Sequence, residues 1–247
     1  MRGYVTAESV VAARRDEQDT AEVRVAIDAS CGCERLEQRV IRFAPGRSQV
    51  RDAGERQEVL YVAAGKGGLD VGGRRHVLEP GTGVFVVPGD RYTVENPGPG
   101  DLLVVSVTAP CEDAEPLSNG RQVTVRYADR PALPASPNRE FRYLVNQDLG
   151  CRDITQFVGL IPPGKAGMHS HTYDEVVYVL EGAGVLHLGG RKTPISAGSC
   201  IHLPPLEEHC LENTGAGTMR VLGVFHPSGD PASRATEAAN SSSPGTS

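Results

Sequence analysis

The chain has 247 residues, including 29 glycines, 18 prolines and no tryptophan, and its formal net charge is −6. This length allows two domains of ordinary size, and the many turn-forming residues argue against long helices. Charges of both signs are interspersed without a basic block, the N-terminus lacks the apolar core of a secretory signal, and no stretch reaches the ~20 apolar residues of a membrane span. We therefore expect a cytoplasmic protein that binds neither nucleic acid nor membrane.

Short β-rich runs separated by turns predict antiparallel strands along the chain. In chain order the clearest runs are residues 58–62, 84–87, 102–107, 175–180, 201–203 and 219–225. A proline-rich passage at 128–138 separates two sets of strands, and the residues after Pro227 are small and polar. The sequence predicts domains at 1–127 and 128–227, followed by a disordered tail at 228–247.

The two halves of the chain repeat each other. Cys33 and Gln38 correspond to Cys151 and Gln156 at an offset of 118 residues. One residue is then lost, and seven further positions correspond at an offset of 117: Glu58, Tyr61, Gly65, Gly81, Pro88, Asn96 and Pro110 with Glu175, Tyr178, Gly182, Gly198, Pro205, Asn213 and Pro227. Duplication of one β domain explains this agreement.

The second half contains a candidate metal site. His169 and His171 are two residues apart, which places both imidazoles on one face of a strand, and Glu175 keeps the same parity. His209 comes from a later predicted strand. Three imidazoles and one carboxylate suit a single divalent transition metal per chain, which could be Fe(II), Mn(II), Co(II), Ni(II), Cu(II) or Zn(II).

These residues resemble the two sequence motifs of the cupin family. His169, His171, Glu175 and Gly182 match the first motif, H-x-H-x3-E-x6-G, and the second is similar to Gly198-x5-Pro204-x-Leu206-x2-His209-x3-Asn213. Leu206 replaces the usual glycine, and the spacer before His169 is one residue short. The resemblance implies an all-β bicupin, with two double-stranded β-helix (jelly-roll) barrels in one polypeptide.

The first half lacks most of the ligands. Residues 51–54 stand opposite the two histidines and Tyr92 stands opposite His209, so only Glu58 is retained. One carboxylate does not replace three imidazoles. We expect the first barrel to have a structural or dimer-forming role, and the protein to form a homodimer.

Other polar residues are weaker candidates. Gln156 and Tyr173 are possible catalytic groups, whereas His187 and His202 lie in apolar strand contexts and are left out of the site. Cys31-Gly-Cys33 resembles half a metal site, but no second pair completes it, so packing is the better interpretation. The six cysteines of the chain are interpreted as free thiols.

The favoured function is an iron-dependent oxygenase or dioxygenase that acts on a small organic substrate. The alternative is a redox-neutral decarboxylase, isomerase, lyase or hydrolase in which the metal acts as a Lewis acid. A second alternative is a non-catalytic barrel that binds a small molecule. The cupin family spans many chemistries, so these alternatives stay open at the level of sequence.

Overall fold

The structure is a computed structural model and describes residues 3–112 and 121–233. The strands of the first half are β1 Tyr4–Ala7, β2 Arg14–Arg15, β3 Ala21–Ile27, β4 Glu37–Phe43, β5 Gly46–Arg47, β6 Arg51–Asp52, β7 Gln57–Ala64, β8 Gly67–Val71, β9 Arg74–Leu78, β10 Thr82–Val86, β11 Arg91–Asn96 and β12 Leu102–Ala109. Those that follow are β13 Thr124–Arg126, β14 Leu133–Ser136, β15 Arg139–Tyr143, β16 Thr155–Ile161, β17 Gly164–Lys165, β18 Asp174–Glu181, β19 Ala183–Leu188, β20 Arg191–Ser196, β21 Ser199–Leu203, β22 His209–Asn213 and β23 Met219–His226. Three 3-10 helices span Ala29–Cys31, Tyr127–Asp129 and Gln147–Leu149.

The strands form two barrels of the same topology. In the first barrel, a sheet ordered β13-β10-β7-β12-β4-β3-β2 packs on a sheet ordered β5-β11-β8-β9, with β6 paired to β11. In the second, the orders are β1-β21-β18-β23-β16-β15-β14 and β17-β22-β19-β20. Each strand of one large sheet has a counterpart at the same place in the other. The predicted all-β fold with two jelly-roll barrels is confirmed.

The N-terminal strand crosses between the barrels. β1 pairs with β21 of the second barrel, while β13, which follows the first repeat, pairs with β10 of the first barrel. β1, the exchanged strand, thus lies within the predicted first domain but belongs to a sheet of the second barrel, whereas β13 stays with the first barrel. The predicted boundary at residue 127 stays a prediction. Among the described residues, no helix is long and apolar enough to cross a membrane.

The described part of the predicted tail packs against the second barrel. The hydroxyls of Ser228 and Thr155 lie 2.7 Å apart, and Tyr173 donates to the main-chain oxygen of Asp230 over 3.3 Å. Residues 234–247, the rest of the predicted tail, lie outside the described residues.

Alternation along the large sheets divides the interior into three layers. On β18, Val177 and Val179 point into the core of the second barrel. Val176 and Tyr178 point the other way, into an apolar layer that also contains residues of the first barrel such as Val59. The two large sheets therefore pack back to back, and any residue that adjoins a barrel ligand on β18 faces the interface between the barrels.

Candidate metal centre

The four predicted ligands meet at the mouth of the second barrel. Glu175 is the second residue of β18 and His209 is the first of β22. His169 and His171 precede β18, and His169 joins His209 through an isolated antiparallel bridge. Its main-chain hydrogen bonds, His169 N to His209 O and His209 N to His169 O, measure 3.1 and 2.8 Å. This bridge brings His169 and His209 together, whereas the spacing predicts a straight or gently bent strand that presents His169 and His171 on one face.

Each imidazole is oriented by a main-chain carbonyl oxygen. The Nδ1-to-oxygen distances are 2.8 Å for His171 with Tyr173, 2.9 Å for His209 with Glu207 and 3.3 Å for His169 with Gly167. A ring that donates from Nδ1 to a carbonyl carries its lone pair on Nε2. This is how metal-ligating histidines are commonly held in proteins.

Three of the ligands form a compact, buried cluster. One ligand atom from each of His171, Glu175 and His209 lies within 4.8 Å of the other two. His171 Nε2 lies 3.0 Å from Glu175 Oε2, yet within the described residues it is a buried atom with no hydrogen-bond partner. A buried nitrogen lone pair beside a carboxylate fits a shared cation, because each would otherwise be left poorly satisfied. The donor set therefore fits a divalent transition metal.

His169 lies at the outer edge of this cluster. Its ring centroid is 4.6 Å from that of His209, and the ring centroids of His171 and His209 are 4.7 Å apart. His169 is the one member of the four that is not fully buried, and its nitrogens fall outside the close group of three. The structure thus brings all four residues to one place but does not make them equivalent.

The electrostatics favour a neutral His209. Burial, followed by the neighbouring His171, lowers the pKa of His209 to about 4, against the opposing effect of Glu175. An imidazole with that pKa is unprotonated at neutral pH, which is the form that binds metal ions. Its Nε2 is therefore ready for coordination without loss of a proton.

A small cavity opens above the cluster. Its volume is about 110 Å³, and its walls are mainly apolar: Phe141, Phe157, Ile161, Val177, Leu203, Leu211 and Val221. Val177 and Leu203 line the cavity, whereas Val179 belongs to the barrel core and Phe225 stacks on Tyr173. The polar residues Arg139 and Glu140 complete the wall.

The two catalytic candidates have different positions. Tyr173 lines the cavity, and its ring is stacked between His171 and Phe225 at centroid distances of 4.2 and 4.1 Å. Burial, with Glu175 nearby, raises the pKa of Tyr173. Gln156 does not line the cavity; its amide nitrogen lies 3.4 Å from Leu60 O in the first barrel. Tyr173 thus shapes the site, while Gln156 contacts the other barrel.

Sequence reasoning missed the residues that enter from β15 and β16. Arg139 and Phe141 are two apart on β15, and Phe157 is on β16. Their alternation indicates a shared face, but a shared face does not reveal which cavity it borders. Arg139 donates from Nη2 to Leu211 O over 2.7 Å, which holds the guanidinium at the cavity wall.

The corresponding place in the first barrel is filled by a different network. Tyr92 donates to Glu58 Oε2 over 3.0 Å, and Ser106 donates to Glu58 Oε1. Burial raises the pKa of the Glu58 carboxyl despite these donors. Arg51 forms an ion pair with Asp19 at the same mouth. Within the described residues, Glu58 belongs to no cluster of three side chains that could hold a metal ion.

Two jelly-roll barrels, one of them with a buried imidazole and carboxylate cluster, define a double-barrelled protein of metal-binding type. The chain belongs to the cupin family: the family described as Cupin domain matches residues 39–108 and 157–225, which is more than half of the chain. The two matched segments correspond to the two barrels, so the predicted bicupin is confirmed.

Individual relatives resemble parts or all of the chain. The oxalate-binding protein of Thermotoga maritima is 39% identical over 67 residues, which are 26% of this chain and 55% of that protein. The match thus spans about half the length of that relative. Among solved structures, a putative glyoxylate induced protein from Pseudomonas aeruginosa has 20% identity and a TM-score of 0.77, covering 93% of this chain and 91% of its own. Bacillus subtilis oxalate decarboxylase, which has Mn(II) centers, has 13% identity and a TM-score of 0.73, covering 92% and 78%.

Proposed function

We propose that this chain is a metal-dependent enzyme that acts on a small carboxylate substrate without net oxidation. The observation that carries the proposal is the convergence of His171, Glu175 and His209 beneath a small, mainly apolar cavity. A divalent ion held by these residues would act as a Lewis acid on a carboxylate or carbonyl oxygen. His169 would complete the ligand set from its outer position.

The size and charge of the cavity support a small anionic substrate. Its volume of about 110 Å³ is below the roughly 300–1,000 Å³ that is typical for drug-sized ligands. Arg139 supplies a guanidinium at the wall, and that group is suited to contacts with a carboxylate. The similarity to an oxalate-binding protein and to oxalate decarboxylase favours a substrate with two adjacent carbonyl or carboxyl groups.

The side chains have separate roles in this proposal. The main-chain carbonyls of Tyr173 and Glu207 orient the rings of His171 and His209. The ring of Tyr173 keeps His171 in place by stacking, and the apolar wall excludes bulk water from the substrate. Arg139 positions the substrate from the side.

A second candidate function is the iron-dependent dioxygenase favoured by the sequence. The apolar cavity wall, with Phe141, Phe157 and Leu203, suits dioxygen beside an organic substrate. Oxygen uptake separates the two candidates. A redox-neutral enzyme forms product without net consumption of oxygen, whereas a dioxygenase consumes oxygen in step with product.

The experiment begins with metal analysis of untagged protein, followed by loading with Mn(II), Fe(II), Ni(II) or Zn(II). Calorimetric titration with oxalate and other carboxylates of two to four carbons measures binding, and mass spectrometry measures turnover. We expect metal-dependent binding that is lost in His209→Ala and retained in the control His187→Gln, because His187 is buried elsewhere and bonded to Glu212. Failure of every metal-loaded form to bind a carboxylate would contradict the proposal. Binding without turnover would instead identify the non-catalytic alternative.

We also propose that the protein is a cytoplasmic homodimer. Within the described residues no cysteine forms a disulfide, which supports a reducing compartment. The dimer rests on the expected role of the first barrel. Light scattering at micromolar concentration tests it, and a monomeric mass would contradict it.

A further inference from the structure

A second cluster of metal-ligating side chains lies between the two barrels. One ligand atom from each of Cys33, Asp174 and His202 lies within 4.8 Å of the other two. Cys33 comes from the first barrel, whereas Asp174 is on β18 and His202 on β21 of the second. The three residues are 1%, 7% and 0% exposed. The cluster is therefore closed to solvent and separate from the centre in the barrel mouth.

The hydrogen bonding of this cluster is incomplete. His202 Nε2 and Asp174 Oδ1 are 2.9 Å apart, but His202 Nδ1 is buried and has no hydrogen-bond partner in the part of the chain that the structure describes. His226 lies directly opposite Asp174 in the pairing of β18 with β23, and both of its ring nitrogens are likewise buried and unpaired among residues 3–112 and 121–233. Buried polar atoms are rarely left without a hydrogen-bond partner, because this costs free energy. There is therefore a physical reason to expect an additional ligand at this place.

The internal repeat provides a matched position for comparison. At the offsets of 118 and 117 residues the correspondences are Cys33 with Cys151, Asp174 with Gln57 and His202 with Phe85. Cys151 Sγ lies 3.5 Å from Gln57 Oε1, so the same arrangement of a cysteine of one barrel against β7 or β18 of the other occurs twice. Phe85 and Cys151 both belong to the apolar layer between the barrels.

The two repeat-related positions show which features packing requires and which features metal binding would require. Cysteine, glutamine and phenylalanine satisfy the geometry at one of the two positions, so packing alone does not require ionisable partners. At the other position the same places hold cysteine, aspartate and histidine, which are all metal ligands. The two positions thus differ in that only one of them has three side chains that can bind a metal ion. A bound cation would also explain why the carboxylate of Asp174 is buried and not exposed to solvent.

We propose that Cys33, Asp174 and His202 bind one zinc-type divalent cation that joins the two barrels. Thiolate, imidazole and carboxylate are the three donor types that Zn(II) accepts, and complete burial is typical of a structural site. A water molecule or His226 would supply the fourth donor. The cation would stabilise the back of β18, whose next residue, Glu175, belongs to the barrel centre.

Metal counting tests the site on the full chain. Wild-type protein and the variants Cys33→Ser and Cys151→Ser are purified without a tag, loaded with Zn(II), desalted and analysed by mass spectrometry. We expect two equivalents of metal in the wild type and in Cys151→Ser, and one in Cys33→Ser. Equal metal content in all three proteins would overturn the proposal.

A spectroscopic measurement covers the case in which Cys33→Ser does not fold. The full chain with His209→Ala, in which the barrel centre is disabled, is loaded with Co(II). We expect a thiolate-to-cobalt charge-transfer absorption in the near ultraviolet, which persists when Cys151→Ser is added. Absence of this absorption in the folded His209→Ala protein, or its loss on adding Cys151→Ser, would overturn the proposal.

Discussion

Glu58 and Glu175 occupy the same position in the two barrels and have opposite surroundings. The carboxylate of Glu175 faces the imidazole of His171, whereas that of Glu58 accepts hydrogen bonds from Tyr92 and Ser106. A duplicated framework thus carries a metal-type site in one copy and a closed polar network in the other.

The first prediction concerns the unequal positions of the histidines in the barrel centre. His209→Ala removes a member of the close group of three, so we expect metal affinity to fall by more than ~100-fold. His169→Ala removes the outer, partly exposed ring, and we expect a smaller loss. Competition with a metal-binding dye measures both. Equal losses in the two variants would contradict the ranking.

The second prediction concerns the pH dependence of stability. Burial raises the pKa of Glu58 above its ordinary value of 4.5, so the folded protein retains a proton that the unfolded chain releases. Stability from this group is therefore present below pH ~4.5 and is lost as pH rises toward the folded pKa. Glu58→Gln lacks this ionisation, so its unfolding free energy relative to wild type should increase from pH 5 to pH 8.

Urea unfolding at several pH values measures this difference. Glu55→Gln is the matched control, because Glu55 is exposed on the loop before β7. We expect no such trend for the control. A difference between Glu58→Gln and wild type that stays constant with pH would show that the folded carboxyl is not held protonated.

The third prediction concerns the turn before His209. Leu206 has φ 63°, the left-handed conformation for which the family motif uses glycine, and its side chain is 67% exposed. The strain of about 1–2 kcal/mol for an L-residue exceeds the ~0.5–1 kcal/mol entropic cost of glycine. We expect Leu206→Gly to raise the free energy of unfolding by about 0.5–1 kcal/mol. Leu206→Ala keeps the strain and should show no such gain in chemical denaturation.

The fourth prediction concerns the contact between the exchanged strand and both barrels. Glu8, which follows β1, accepts from Arg42 Nη2 of the first barrel over 2.7 Å and from Tyr178 OH of the second over 3.2 Å. Glu8→Ala removes both contacts, so we expect a loss of about 1–2 kcal/mol in unfolding free energy. Glu8→Gln retains an acceptor and should lose less, because a partly exposed ion pair contributes little by charge alone. Equal losses would show that the charge is the larger contribution.

Much of the fold and of the barrel centre could be predicted from the sequence. The repeat offsets aligned Glu58 with Glu175 and identified Tyr92 as the replacement for His209, and the structure places both pairs at equivalent positions. Such predictions succeed because strand alternation and turn spacing are local properties, and a duplicated sequence repeats them. The ligand set was visible because its members share a short motif and a later counterpart.

The sequence does not predict what surrounds a side chain on each face of a sheet. Alternation assigns Asp174 and Glu175 to opposite faces of β18, but it does not say that both faces are buried. Cys33 was interpreted as a packing residue, and the structure brings it together with Asp174 and His202, which lie at least 141 residues further along the chain. Arg139 lines the cavity, although no sequence motif indicates this position.

The sequence by itself determined the all-β class, the duplication and the identity of four candidate ligands, because these follow from periodicity and from residue types at short spacing. Only the tertiary structure decided that the two large sheets pack back to back, that β1 joins the second barrel, and which polar residues lie between the barrels. Those arrangements depend on which apolar faces are buried against each other, and that choice is made by the packing of the whole chain.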